Sequence, residues 1–239
     1  MTRCLTFSIL LLVAANSAAA QEKKAPEQPK KPPSEAWYYK LARILGVDRA
    51  PSGLKGPMSA HPGELWITPV ERMAPRRLAE GSDFSSPVFQ PGAKYVFALR
   101  QSQLVRVPVE GGAPVNIREL PRAIKLVGFD AKNSDWVLVL FESGQGPNSK
   151  AVDVVLLSVI SGKQQVIVKS QPADGEAAET LLGWQRQYGN IMVRPQGGQI
   201  IIRGIESTDT PLTDSDDGSC SEPAYSPELK QVVFVRAPK

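Results

Sequence analysis

Ser85-Ser86-Pro87-Val88-Phe89-Gln90-Pro91-Gly92-Ala93-Lys94-Tyr95-Val96-Phe97-Ala98-Leu99-Arg100 recurs, without gaps, as Ser221-Glu222-Pro223-Ala224-Tyr225-Ser226-Pro227-Glu228-Leu229-Lys230-Gln231-Val232-Val233-Phe234-Val235-Arg236. Ser, Pro, Pro, Lys, Val and Arg coincide at an offset of 136 residues. A repeated supersecondary unit signals stacked or radial assembly rather than one layered core.

Reduced to its physics, the repeat is an aromatic, a turn and an apolar strand. Two more copies then emerge. Phe129 precedes Trp136 by the same seven residues that separate Phe89 from Val96, and Trp184 precedes Ile191 likewise. The four aromatics lie 40, 55 and 41 residues apart, close to the ~40–50 residues of a four-stranded propeller blade. The strands after each turn (Tyr95–Leu99, Trp136–Phe141, Ile191–Val193, Val232–Val235) are β-branched or aromatic, as inner blade strands should be. A second element, Leu104 to Pro114, supplies a further strand and a Gly111-Gly112 turn, and Val154 to Gly162 is related to it.

The chain stops soon after the last inner half. The missing outer half stands at the front: Leu65 to Pro75 matches Leu104 to Pro114 at an offset of 39, with Leu, Pro, Val, Glu, Ala and Pro in common. Pairing the first strands with the last leaves no orphan sheet edges at the seam. The expected fold class is therefore all-β, a propeller of four blades over residues 64–239, closed by its two chain ends. An open arc and a larger ring made by two chains are the alternatives.

The inner half resembles the TolB-like propeller repeat, Pro-x-Trp/Phe-Ser-Pro-Asp-Gly-Lys-x-Ile-Ala-Phe. Pro223 to Phe234 follows it except at Asp-Gly, which is Glu228-Leu229 here, and Pro87 to Lys94 also lacks that dipeptide. The resemblance implies a fold and little else, because the motif residues build the turn between strands. TolB itself has a separate N-terminal domain and more blades, and related propellers occur as the non-catalytic domain of prolyl oligopeptidase-like enzymes. Fold alone does not choose a function.

Upstream of the repeats the composition changes twice. Residues 1–20 read as an export signal: Arg3, an apolar core from Leu5 to Ala15, and Ala18-Ala19-Ala20 before a cut at Gln21. That core is about half the ~20 residues a bilayer span needs. No membrane span is expected after cleavage, and the expected location is periplasmic or secreted. Residues 21–34 are rich in Pro, Lys and Glu and read as a disordered tether. In residues 35–46, Trp37, Leu41, Ile44 and Leu45 share one face of an amphipathic helix between Ser34 as N-cap and Gly46 as stop. A helix this short is marginal alone, so its apolar face needs a surface. It packs on the following domain or binds a partner, and Trp37, Tyr38, Leu41 and Ile44 are the candidate partner contacts. Residues 47–63 read as loop.

The search for chemistry returns little. There is no Gly-x-Ser-x-Gly elbow, and the one histidine, His61, falls in the loop. After cleavage Cys220 is the one cysteine left, so no internal disulfide is possible and a buried strand-start packing role is expected. No catalytic residue, metal site or cofactor is expected. Asp209 with Asp214, Asp216 and Asp217 is a conceivable calcium loop, but its spacing is not that of an EF-hand. The formal charge of +4 is partly a property of the signal and tether, and no basic stripe with interleaved aromatics suggests nucleic acid. The expected function is a non-enzymatic scaffold that binds an envelope protein or peptide. The alternative is a small-ligand or carbohydrate-binding propeller using its central channel.

Overall fold

The computed structural model describes residues 44, 62–92, 94–143, 151–172, 187–188, 191–204 and 208–238. These form a four-bladed β-propeller. The first strands, β1 (Glu64–Pro69) and β2 (Arg76–Arg77), belong to the last blade. Blade one is β3 (Phe84–Phe89), β4 (Tyr95–Arg100), β5 (Gln103–Pro108) and β6 (Val115–Glu119). Blade two is β7 (Ala123–Asp130), β8 (Asn133–Glu142), β9 (Ala151–Ser158) and β10 (Gln164–Pro172). Blade three is β11 (Gln187–Tyr188), β12 (Ile191–Gln196), β13 (Gln199–Arg203) and β14 (Asp209–Pro211). Blade four is β15 (Cys220–Ser226) and β16 (Gln231–Arg236), completed by β1 and β2 in the order β15-β16-β1-β2.

The expected closure is the observed one. β1 lies antiparallel to β16 along its whole length, from Glu64 opposite Arg236 to Pro69 opposite Gln231. Repeat equivalence extends to single bonds. Val109 N–H donates to the Lys94 carbonyl at 3.1 Å, and Val70 N–H donates to the Lys230 carbonyl at 2.9 Å. The turn lysine of each copy thus receives the outer strand in the same way, although one of those strands comes from the far end of the chain. Both closing arginines also lie over aromatic rings, Arg100 on Phe84 and Arg236 on Trp66. Gly63 exchanges two backbone hydrogen bonds with Phe84, joining blade four to blade one, and a Cβ on it would collide with the Arg236 carbonyl.

The middle strands β4 and β16 are apolar through their centres because each serves two seams. Side chains alternate across a strand, so successive residues face opposite neighbours. Val96 and Ala98 of β4 pack with Leu65, Ile67 and Val233 of blade four. Phe97 and Leu99 of the same strand pack with Leu126, Phe129, Val137 and Val139 of blade two. β16 divides likewise, Val233 toward blade one, Val232 and Phe234 toward blade three. A sheet covered on both faces loses the hydrophobic–polar alternation of a half-exposed one.

Cys220 is buried and outside any disulfide at the start of β15, in the cluster that joins blades three and four. Of the expected helix, Ile44 alone lies among the described residues, and it is helical there. The compact unit containing the propeller runs from Glu35 to Lys239. No helix among the described residues is long and apolar enough to cross a membrane.

Candidate functional site

The first strands of three blades carry buried polar residues that meet one another. The ladder from β3 to β4 skips between Ser85 and Val88, and that from β15 to β16 skips between Ser221 and Ala224. Each skip leaves a dipeptide outside the ladder, Ser86-Pro87 in one blade and Glu222-Pro223 in the other. Proline suits such a bulge because it has no N–H to lose. Ser86 and Glu222 have φ of 51° and 50°, in the left-handed region. That conformation costs a side-chain-bearing residue roughly 1–2 kcal/mol, and a residue before proline ordinarily stays extended. The strain is therefore repeated at equivalent positions.

The two bulges meet. Ser86 N–H donates to Glu222 Oε2 at 2.5 Å, and Lys125 Nζ of β7 donates to Glu222 Oε1 at 3.3 Å. Blades four and two both flank blade one, so the ion pair crosses the interior to link blades that are not sequence-successive in the ring. Lys125 is 1% and Glu222 4% exposed. Ser86 is wholly buried, and its Oγ has no hydrogen-bond partner among the described residues.

Chemically this centre is a clasp. A carboxylate that accepts both a backbone N–H and an ammonium is neutralised and oriented. The groups of the clasp are closed to solvent. Among the described residues no group of three or more His, Cys, Asp or Glu is placed to hold a metal ion. Sequence reasoning passed over Glu222 and Lys125. The gapless repeat did place Ser86 on Glu222, but nothing along the chain tied Lys125 to either.

Asp209 and Asp214, in and after blade three, are engaged in local structure. Asp209 Oδ1 accepts from Arg203 Nε at 2.6 Å, and its Oδ2 accepts from Arg203 and Arg194 at 2.8 and 2.7 Å. Hydrogen bonding from Arg203, opposed by some desolvation and reinforced by Arg194, lowers the Asp209 pKa from 3.8 to about 2. Asp214 caps the short 3-10 turn Ser215–Asp217 by accepting from Asp216 N–H.

On the outer rim, the turn between β9 and β10 is braced from several sides. Asp135 accepts from Ile160 N–H at 2.8 Å and from Ser158 Oγ at 2.7 Å, and Ser158 Oγ also bonds Ser161. Gly162 closes the turn with φ of 74°, in space where a Cβ would strike the Arg118 guanidinium from blade one. This frame holds Ile160 at 81% exposure.

Of the candidate partner contacts, Trp37, Tyr38 and Leu41 lie outside the described residues, as do His61 and Trp184. Ile44 is half-buried against blade two. Among the blade-leading aromatics, Phe129 is buried and meets Phe97 edge-to-face at 5.0 Å, while Phe89 and Tyr225 are half-buried in seams. None of these three is presented as an open stacking platform for a sugar.

Comparison with solved structures returns distant likenesses. A protein described as TolB from Agrobacterium tumefaciens is 18% identical, with a TM-score of 0.37 over 74% of this chain and 62% of that one. The tricorn protease is 10% identical, with a TM-score of 0.25 over 74% of this chain and 15% of that one. This chain thus spans less than two thirds of either protein. No family model matches it, and no curated protein matches it in sequence. The strand order within its own four sheets is what makes this chain a four-bladed propeller.

Proposed function

We propose that this protein is an exported, non-enzymatic scaffold that binds a protein or peptide of the bacterial envelope through its blade rim. One observation carries the reading: the braced turn that holds Ile160 at 81% exposure. Scattered exposed apolar residues are normal on protein surfaces. Here, however, an aspartate, two serines and a glycine under a neighbouring blade's arginine all fix one turn. A pre-ordered apolar side chain loses little entropy on burial, which is what an interface anchor requires. Export is supported by the signal-like leader of residues 1–20. The non-enzymatic reading is supported by a buried centre whose charged groups are spent on one another.

The test is photocrosslinking in intact cells with a benzoylphenylalanine at position 160, and a second at position 94 on a different turn as a control. An adduct specific to position 160 is expected, together with a mature N-terminus at Gln21. Equal labelling from both positions, or retention of the leader in the cytoplasm, would overturn the reading.

A further inference from the structure

The last strand of blade one and the turn after β9 meet at one guanidinium. β6 lies at the seam of blades one and two, where its Ile117 packs in the cluster that also holds Val159. Arg118, the next residue, lies across Gly162 so closely that a Cβ there would strike Cζ, Nη1 and Nη2. Glycine leaves room for that stacking, and it also suits the φ of 74° at this turn.

Arg118 is half-buried, forms no hydrogen bond or ion pair among the described residues, and has its Nε fully closed to solvent. A guanidinium held in place ordinarily has an acceptor, because a charged donor taken from water without a partner is costly. The carboxylates at hand do not supply one. Asp135 gives one oxygen to Ile160 N–H and the other to the Ser158 hydroxyl. Glu119 follows Arg118 in β6, and strand alternation turns it to the opposite face. Lys163, beside Gly162, is exposed and likewise without an ion pair among the described residues. The turn thus presents Ile160, 81% exposed, next to two cations, and the carboxylate that touches it is committed to the turn itself.

We propose that Arg118 and Lys163 are the charge-recognising half of the rim site, and that the partner it fits is an acidic–apolar peptide. An Asp or Glu carboxylate meets the Nη edge of Arg118 while a neighbouring apolar side chain covers Ile160. A guanidinium fixed by stacking keeps its orientation, and its planar fork matches the two oxygens of a carboxylate. Because Arg118 is held before the partner arrives, little side-chain entropy is lost when the pair forms. This rests on the scaffold function above and adds the chemistry of the partner to it.

Two measurements on the full mature chain test it. In the first, short random peptides displayed on phage are selected against the folded protein. Enrichment of Asp or Glu beside Leu, Ile, Val or Phe is expected, and an enriched peptide should bind Arg118→Gln roughly tenfold more weakly. Replacing that peptide's acid by its amide should weaken binding to the natural protein by a similar factor and to Arg118→Gln hardly at all. A purely structural arginine would not show this coupling. Selection of peptides without a carboxylate, no selection, or equal losses in both proteins would overturn the inference. If Arg118→Gln fails to fold, Arg118→Lys, which keeps the charge and loses the fork, takes its place with a smaller expected loss. In the second, the position-160 photocrosslinker is carried together with Arg118→Gln, and a weakened adduct is expected. An undiminished adduct would overturn the charge recognition and leave the scaffold reading standing. No adduct even with Arg118 in place would overturn both.

Discussion

The bulges of β3 and β15 are the same backbone carrying different chemistry. Both precede a proline, both skip the ladder to the next strand, and both hold a non-glycine residue near φ of 50°. Ser86 contributes only its N–H, and its hydroxyl is buried without a partner among the described residues. Glu222 is long enough to cross the interior, accepting that N–H and the Lys125 ammonium together. The difference teaches that the repeat supplies a backbone shape, while one unrepeated side chain turns the shape into a tie between blades. Strain at Glu222 is offset by two charge-assisted bonds; at Ser86 the side chain returns nothing.

The largest way to break this comparison is to remove the carboxylate. Glu222→Ala leaves the Lys125 ammonium buried without its carboxylate, and losing one member of such a pair costs about 3–5 kcal/mol. Urea denaturation should show a correspondingly lower midpoint. The pair itself need not be stabilising relative to apolar residues. Glu222→Leu with Lys125→Met should recover most of that loss, and failure to recover would mean the charges also organise other groups.

Next in size is the seam between blades four and one. Gly63→Ala places a Cβ against the Arg236 carbonyl, and overpacking of this kind costs about 1–3 kcal/mol. Hydrogen exchange should quicken at Gly63 and Phe84 before it does at β8. Uniform quickening across the ring would show that the seam does not open independently.

A smaller effect of opposite sign sharpens the contrast between the bulges. Ser86→Gly relieves the left-handed strain and deletes a buried hydroxyl while keeping the N–H that Glu222 accepts. We expect a gain of up to about 1 kcal/mol in the same denaturation assay, reduced by glycine's larger unfolded-state entropy. Glu222→Gly relieves the same strain yet should be strongly destabilising, because it removes the buried ion pair with Lys125.

The smallest effect separates a buried tie from an exposed one. Asp209 also bridges two basic groups, Arg194 and Arg203, but at the exposed edge of blade three. Its pKa is depressed from 3.8 to about 2. The folded state therefore binds the proton less readily than the unfolded chain, and the clamp's contribution is fully present above pH 3.8. It falls away as the pH drops toward 2. Carboxyl NMR should place the Asp209 midpoint near 2 in the folded protein, and Asp209→Asn should remove the loosening of β13 and β14 across that window. A midpoint at the ordinary carboxylate value would refute the clamp.

Blade number and closure were determined by the sequence because both are local and repeated. The aromatic-to-strand interval recurs, and the outer-strand pattern of Leu65 to Pro75 stands where only the last blade lacks one. Middle strands were legible for the same reason, since burial on both faces writes a continuous apolar run. Only the tertiary structure decided that Glu222 meets Lys125. Their separation of 97 residues carries no periodic signal, and the contact exists because opposite blades converge inside the ring. It also decided that Asp209 holds two arginines and that the face of Leu138 and Leu140 receives Ile44. Periodicity reports which face of a strand is buried. What lies against that face depends on how the ring brings distant segments together.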